Sequence, residues 1–310
     1  MSLIDIDREA GERFPDEPFR LQHDLANHPL LSLEALAALT GRLDRDRVEY
    51  NSGRLQPDQR PEDVPTIDGM TPPEIVRQIE TADAWMVLKN VETVPEYRDL
   101  IAGFLSDAAA ALGHSDTGDA GMRDFQGFIF VASANAVTPF HIDYEENFFV
   151  HLAGDKAMHI FDNRDRSLVP EEELEVYPGK HRNLRYREDF EDRATVHEMK
   201  PGEGLFLPYT WPHWVRTGAV PAVSMAITWK SRRDIRMNGL YFANAVMRKM
   251  GLPQPTPGKY PPYDAAKVLA FSAARAATQP LRRSEKMRRW LRQILFGRKA
   301  NYFYRERPES

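Results

Sequence analysis

The residues most able to do chemistry lie in one stretch, TPFHIDYEENFFVHLAGDKAMHIF, from Thr138 to Phe161. His141 and Asp143 are two residues apart, so on a β-strand both side chains would project from the same face. An imidazole nitrogen and a carboxylate oxygen are suitable ligands for a divalent transition metal. A satisfied polar pair on a half-exposed strand is the alternative reading, since a second His-x-Asp pair, His114 and Asp116, occurs in the polar turn GHSDTGD.

A third candidate ligand lies downstream in GLFLPYTWPHWVRTG, where His213 begins a predicted β segment. Two histidines and one carboxylate form the facial triad that holds Fe(II) and leaves coordination positions open. Open positions are needed for oxygen chemistry, because both O2 and a co-substrate must reach the metal. The sequence therefore predicts an iron site made of His141, Asp143 and His213.

Polar residues near these candidate ligands suggest that something else binds beside the metal. Lys156 begins an apolar strand predicted to face the interior of a barrel. A buried ammonium group is costly unless it is paired with an anion. Thr138 and Asn147 are small polar residues that flank the ligand strand among apolar neighbours.

The composition limits the classes of site and partner. The chain has 310 residues, 42% of them hydrophobic and 28% charged, with a net charge of −5, as in an ordinary soluble globular protein. It contains no cysteine, which excludes disulfides, zinc-thiolate sites, iron–sulfur clusters and a cysteine nucleophile. No apolar run reaches the ~18 residues of a membrane span, and the N-terminus lacks the apolar core of a secretory signal. The cytoplasm is the predicted location.

The central part of the chain has the pattern of a β-barrel. Short β-rich segments separated by Gly, Asp and Pro are typical of an all-β sandwich or barrel. The predicted fold class is a mainly β core with flanking helices (α+β). Gly154 and Asp155 in LAGDK have the composition of a hairpin turn. The predicted strands are FQGFIFVAS, AVTPFHID, NFFVHLAG, KAMHIFD, GEGLFLP, HWVRTG and VSMAITW.

Helical patterns flank the predicted barrel on both sides. Residues 1–120 are predicted to be mostly helical and to pack on a barrel formed by 121–235, and residues 236–310 to form a helical C-terminal region. Ser32 is predicted to cap one helix, and Thr71 with Glu74 to form a capping box at the start of another. The charged stretch 162–200 is interpreted as an insertion over the barrel mouth.

The sequences TPFHIDYEENFFVHLAGDK and PGEGLFLPYTWPHWV resemble the JmjC-type, cupin-like 2-oxoglutarate oxygenases. The resemblance covers about residues 125–230 and is strongest to the asparaginyl hydroxylase branch that acts on the hypoxia-inducible factor. It implies a double-stranded β-helix, or jelly-roll barrel, in which His141, Asp143 and His213 bind iron.

The resemblance also implies a binding site for 2-oxoglutarate. Lys156 and Thr138 would hold the distal carboxylate of the co-substrate, and Asn147 would lie near its metal-chelating end. Phe128 and Phe130 would line the same pocket.

Two local features of this resemblance need structural support. Thr138 is out of phase with His141 in a regular strand, so Pro139 must break the strand register. Related enzymes often carry a co-substrate-binding Asn near position 227, and here Thr228 is the candidate to replace it.

The implied activity is hydroxylation of a C–H bond by Fe(II), 2-oxoglutarate and O2, with succinate and CO2 as co-products. The substrate would be a protein or peptide side chain, or else a small molecule. Demethylation through hydroxylation is an alternative outcome. A metal-binding cupin without turnover, acting as a sensor or regulator, is an alternative function.

The C-terminal segment raises a separate question about partners. Residues 281–310 contain ten Arg or Lys and three Glu in a chain that is acidic overall, and apolar residues from Met287 to Leu295 recur at helical spacing. One reading is a nucleic-acid-binding or membrane-surface helix. The favoured reading is a helix that packs on its own domain or on a second subunit, because related oxygenases often form homodimers through C-terminal helices.

Overall fold

The computed structural model of the chain describes residues 2–59, 64–65, 67, 69–175 and 184–279, with isolated positions at 284, 286–287, 290 and 293. Most of the basic segment 281–310 lies outside the described residues, so its predicted roles in dimer formation and nucleic-acid binding stay predictions. The chain forms two compact units. The first comprises Met1–Asn163 and Arg185–Ser231, and the second comprises Arg164–Leu184 and Arg232–Ser310.

The first unit is built on two antiparallel sheets. The strands are β1 (Ile4–Asp5), β2 (Phe19–His23), β3 (Val48–Ser52), β4 (Ala84–Lys89), β5 (Gln126–Ala132), β6 (Val137–His141), β7 (Glu146–Ala153), β8 (Lys156–Ile160), β9 (Thr195–Met199), β10 (Glu203–Leu207), β11 (His213–Thr217) and β12 (Ala222–Trp229). The larger sheet has the order β1-β2-β10-β7-β12-β5-β4-β3 and the smaller sheet the order β6-β11-β8-β9. From β5 to β12 successive strands alternate between the two sheets, as in a jelly roll, except that β8 and β9 are neighbours in the smaller sheet.

Helices complete both units, and the described helices include none that is long and apolar enough to cross a membrane. The α-helices are α1 (Arg8–Gly11), α2 (Leu33–Thr40), α3 (Pro72–Arg77), α4 (Pro95–Ala111), α5 (Glu171–Glu175), α6 (Arg232–Lys249) and α7 (Pro261–Ala277), and 3-10 turns occur at Pro29–Leu31, Arg45–Arg47, Val91–Thr93 and Glu188–Arg193. Ser32 caps α2, and Thr71 with Glu74 forms the capping box of α3, so both predicted helix starts are confirmed.

Each face of the larger sheet packs against a different partner. Ile129 and Val131 of β5 belong to a core cluster that includes Ile101 and Phe104 of α4. The opposite face of the larger sheet faces the smaller sheet. The cluster enclosed between them contains residues of both sheets. This inner cluster consists of Phe149, Met158, Ile160, Met199, Leu205, Leu207, Val215 and Ala226. The barrel interior is therefore a core separate from the helix-covered one. Along β5, residues that face the barrel interior alternate with residues that face the helix-covered core.

All seven predicted strands between 125 and 229 are confirmed, but the predicted LAGDK hairpin is wrong. β7 pairs with β10 and β12 in the larger sheet, whereas β8 pairs with β9 and β11 in the smaller one. The turn at Gly154 and Asp155 therefore links the two sheets. Turn composition specifies a tight reversal of the chain, and it contains no information about which strands the next segment will pair with.

Four strands lie in regions where the sequence analysis named helices or a loop. β1, β2 and β3 join β4 in the larger sheet, so residues 1–120 supply strands as well as helices. β9 lies within the stretch 162–200 that was interpreted as an insertion. Its side chains are mostly exposed because β9 is an edge strand, which leaves no apolar alternation to detect.

The second unit is held by buried polar contacts between its helices. Lys267 of α7 is buried and lies 2.7 Å from Asn244 Oδ1 of α6 and 3.1 Å from Asp264 Oδ1. Arg248 of α6 pairs with Glu175 of α5 at 2.5 Å. The Lys267–Asn244 hydrogen bond therefore anchors α7 to α6, and the Arg248–Glu175 ion pair anchors α5 to α6.

Gly154→Ala should destabilise the fold far more than a matched glycine change. Gly154 has φ +77°, and an added Cβ would lie 2.2 Å from Pro221 O, so both strain and overlap oppose the variant. We expect the free energy of unfolding to fall by more than about 3 kcal/mol, since a strained backbone position alone costs about 1–3 kcal/mol. Gly113→Ala is the control, because Gly113 has φ +81° and open space around it. Equal losses in urea unfolding would show that the turn tolerates a side chain.

Candidate metal centre

His141, Asp143 and His213 meet at one end of the smaller sheet. His141 ends β6 and His213 begins β11, and the two are directly paired across the strands, with ring centroids 4.2 Å apart. Asp143 follows β6 and places Oδ2 3.9 Å from His141 Nε2 and 3.8 Å from His213 Nε2. One donor atom from each residue lies within 4.8 Å of the other two. A metal ion with bonds of about 2.1 Å can contact all three with small side-chain rotations.

Backbone contacts orient both imidazole rings for metal binding. His141 Nδ1 lies 2.7 Å from Pro139 O, and His213 Nδ1 lies 3.0 Å from Trp211 O. A carbonyl oxygen only accepts, so each Nδ1 carries the proton and each Nε2 presents its lone pair. Burial lowers the pKa of His213, and the neighbouring His141 lowers it further. The His213 ring is thus held in the neutral form that a metal requires.

A bulge in β6 explains how residues on both sides of Pro139 face the barrel interior. His213 pairs with His141, and Val215 pairs with Thr138, so three steps on β6 match two steps on β11. The irregularity brings Thr138 into the same phase as His141, because directly paired residues share a face. The predicted break of register at Pro139 is confirmed.

Lys156 lies inside the barrel on the same sheet as the candidate ligands. It is buried, its Nζ donates to Ser224 Oγ at 2.7 Å, and it lies 5.2 Å from the ring centroid of Phe149. Among the described residues no carboxylate forms an ion pair with it. Burial lowers the pKa of Lys156 to about 7. Its surroundings therefore offer a buried cationic site that an external anion can complete.

The separation between Lys156 and the metal ligands suits a short dicarboxylate. β8 pairs Ile160 with His213 and Thr217 with Lys156, so four residues separate Lys156 from the row of metal ligands. Four strand residues span about 13 Å. A lysine side chain that leans along the strand, together with a chelating dicarboxylate of a few carbon atoms, would span that distance.

Two buried oxygen atoms on the larger sheet lack hydrogen-bond partners. Asn147 of β7 and Thr228 of β12 are directly paired, and their side chains share the inner face with Phe149. Asn147 Oδ1 and Thr228 Oγ1 have no partner within the described part of the chain. Buried polar atoms without a hydrogen-bond partner are uncommon in native proteins and indicate a missing ligand or water.

Aromatic side chains line the wall formed by β4 and β5. Phe128 and Phe130 are predicted pocket residues, and both pack against the inner cluster. Trp85 of β4 lies 6.0 Å from Phe130, ring to ring, and its Nε1 donates to Thr138 Oγ1 at 3.0 Å. This contact occupies an acceptor site of the Thr138 hydroxyl, whose proton can then be donated to a ligand.

The structure adds residues that sequence reasoning missed. Trp85 and Ser224 were not singled out, although both occupy inward positions, Trp85 on β4 and Ser224 on the correctly predicted β12. Strand alternation relative to Thr228 could have identified Ser224, whereas Trp85 is placed by the pairing of β4 with β5. His159 lies outside this pocket: it contacts the Glu191 carboxylate and stacks on Trp214 with ring centroids 3.8 Å apart, so its polar atoms have partners elsewhere.

Comparisons with known proteins were made at the level of family and of fold. A family model described as a cupin-like domain matches residues 70–235. No curated protein is significantly similar to the chain in sequence.

Several solved structures are similar to the chain at low identity. The Escherichia coli ribosomal oxygenase YcfD has a TM-score of 0.47 and 13% identity, covering 95% of this chain and 72% of that chain. The structure of YcfD in complex with cobalt and 2-oxoglutarate has a TM-score of 0.44 and 13% identity, covering 90% of this chain and 67% of that chain. The DMSP lyase DddQ from Ruegeria pomeroyi DSS-3 has a TM-score of 0.23 and 16% identity, covering 34% of this chain and 38% of that chain. These values are too low to support a function for this chain.

Proposed function

Because the chain belongs to the cupin-like domain family, we propose that its barrel is the active site of an Fe(II)- and 2-oxoglutarate-dependent oxygenase that hydroxylates a C–H bond. The observation that carries this proposal is the buried Lys156, which pairs with no carboxylate within the described part of the chain and lies on the same inner surface as the His141, Asp143 and His213 cluster. A metal site alone does not need a buried cation nearby. A chelating dicarboxylate needs the metal for its chelating end and a cation for its distal carboxylate.

The residues present suit an iron ion. His141, Asp143 and His213 would hold it through two imidazole nitrogens and one carboxylate oxygen, the donor set of the facial triad. Iron held in this way supplies the redox chemistry that activates O2. The chain contributes the orientation of the two rings, which Pro139 O and Trp211 O fix through Nδ1.

The residues present also suit 2-oxoglutarate. Lys156 would pair with the distal carboxylate, and Thr138 would donate its hydroxyl proton to the same group. Asn147 and Thr228, whose buried oxygen atoms lack partners, would lie beside the chelating end, with their contacts made directly or through water. Phe128 and Phe130 would keep the pocket dry, which strengthens each electrostatic contact.

The substrate is proposed to be a protein side chain, in keeping with the sequence resemblance to the asparaginyl hydroxylase branch, with a small molecule as the second class. Hydroxylation is preferred over halogenation because Asp143 occupies the carboxylate position of the triad. A succinate-release assay across candidate peptides and metabolites, followed by a mass gain of one oxygen atom, would identify the substrate.

The purified protein should bind 2-oxoglutarate only when a metal is present. We expect calorimetry to show one Fe(II), or Mn(II) as an inert substitute, bound per chain, followed by co-substrate binding. Protein stripped with a chelator is the matched control. Equal 2-oxoglutarate affinity with and without metal would contradict the proposed site. Metal binding without any 2-oxoglutarate binding would favour a non-catalytic cupin.

A further inference from the structure

Three buried polar side chains are connected at the Lys156 end of the barrel interior. Lys156 Nζ lies 2.7 Å from Ser224 Oγ, and Ser224 Oγ lies 3.1 Å from His151 Nδ1. His151 Nε2 lies 2.8 Å from Gly154 O. Ser224 and His151 are direct cross-strand neighbours on β12 and β7, and neither is exposed to solvent.

Donor and acceptor chemistry fixes the direction of this chain. The Gly154 carbonyl only accepts, so His151 carries its proton on Nε2 and leaves Nδ1 as an acceptor. The Ser224 hydroxyl therefore donates to His151 Nδ1, which turns the oxygen lone pairs of Ser224 toward Lys156. An ammonium group has donors only, so Ser224 is held in the one orientation that suits the Lys156 side chain.

The groups that face Lys156 from the neighbouring strands carry no charge. Thr217 of β11 and Met199 of β9 are its cross-strand partners in the smaller sheet. Phe149 of β7 and Ser224 of β12 approach it from the larger sheet. Ser224 is thus the described hydrogen-bond acceptor for its ammonium group.

His151 stays neutral between pH 6 and pH 8. Burial lowers the pKa of His151 to about 4, with a further contribution from the Lys156 charge. His23 and Asp155 are the other titratable groups whose charges act on His151, in opposite directions. Lys156 is therefore the member of this chain whose charge changes near neutral pH.

We propose that Ser224 and His151 are positioning residues for Lys156, holding its ammonium group at the end of the barrel where the distal carboxylate of the co-substrate binds. This inference rests on the proposed function, since it concerns the same pocket. Neither residue touches the metal ligands. Their role would be to supply a correctly oriented acceptor for the charged form of Lys156.

This role has a specific pH signature. Because burial lowers the pKa of Lys156 to about 7, a larger share of the free protein carries a neutral lysine at pH 8 than at pH 6, and we expect 2-oxoglutarate binding at pH 8 to be accompanied by proton uptake. Ser224 then gains a contact with a charged group only in the complex. Below pH 6 the ammonium group is present before and after binding, so the Ser224 contact cancels between the two states.

The test measures affinity for 2-oxoglutarate in the Mn(II)-loaded full chain as a function of pH. Ser224→Ala should weaken binding about tenfold at pH 8, because hydrogen bonds to charged groups are worth about that factor. At pH 6 the loss should stay within about threefold. His151→Leu should follow Ser224→Ala, whereas His151→Asn, which keeps an acceptor beside Ser224, should stay closer to wild type.

2-Oxobutyrate is the matched probe, because it keeps the chelating 2-oxo acid and lacks the distal carboxylate. Its affinity should be the same in all these variants at each pH. A loss for both oxo acids, or a loss independent of pH, would overturn the positioning role in favour of a structural one. Wild-type affinities in the Ser224 and His151 variants would also overturn it and leave the proposed function standing. Absence of 2-oxoglutarate binding to the wild type would overturn both.

Discussion

Lys156→Met is expected to weaken 2-oxoglutarate binding by about two to three orders of magnitude, while metal binding stays as in the wild type. Breaking one member of a buried, hydrogen-bonded ion pair typically costs about 3–5 kcal/mol, and each ~1.4 kcal/mol is tenfold in affinity. Methionine keeps most of the side-chain volume inside the inner cluster, so the barrel should fold normally. Calorimetry on the Mn(II)-loaded variant measures both affinities.

Lys267→Met is the control for this experiment. Lys267 is also a buried lysine, but it belongs to the second unit and pairs with Asp264. Its replacement should lower the free energy of unfolding without changing 2-oxoglutarate affinity. If Lys156→Met binds 2-oxoglutarate within a factor of about three of wild type, the distal carboxylate lies elsewhere and the non-catalytic cupin becomes the better reading.

Asp143→Ala should remove metal binding and all turnover together. The carboxylate supplies the only negative charge of the candidate triad, and its Oδ2 lies within 4 Å of both Nε2 atoms. We expect the affinity for Mn(II) to fall by more than about 100-fold, because loss of even an outer partner of a metal ligand costs about 10–100-fold. Succinate release should then be undetectable.

Asp116→Ala is the matched control for Asp143→Ala. Asp116 belongs to the second His-x-Asp sequence of the chain, and in the structure it lies in an exposed turn where it accepts from Asp119 N. This variant should bind Mn(II) like the wild type. Mn(II) affinity that survives in Asp143→Ala would mean that the ion binds at other groups, and the triad assignment would be wrong.

Much of the candidate centre could be predicted because its residues are unusual for their surroundings. His141, Asp143, His213 and Lys156 are ionisable residues within apolar β segments, and the structure brings them to one inner surface. The apolar β-rich residues around each of them indicate that it lies on or beside a strand. The pairing of β6 with β11 places the two histidines side by side, and that long-range contact has no local signature.

Other features could not be read from local patterns. The turn at Gly154 has hairpin composition, yet it joins two sheets, because strand pairing depends on distant segments. Ser224 looks like an ordinary strand serine until β7 and β8 bring His151 and Lys156 to it. β2 is a different case, since FRLQH alternates between buried and exposed residues and the pattern was available in the sequence.

The bulge in β6 has a consequence for how relatives of this chain should be aligned. Thr138 and His141 share a face only because three residues of β6 are matched to two of β11. A relative with an uninterrupted strand would need its equivalent threonine two residues before the histidine, at the place of Pro139. A spacing of T-x-x-H therefore reports the bulge, and T-x-H reports a regular strand. An alignment without a gap at this point would compare residues on opposite faces of the barrel wall and hide a shared function.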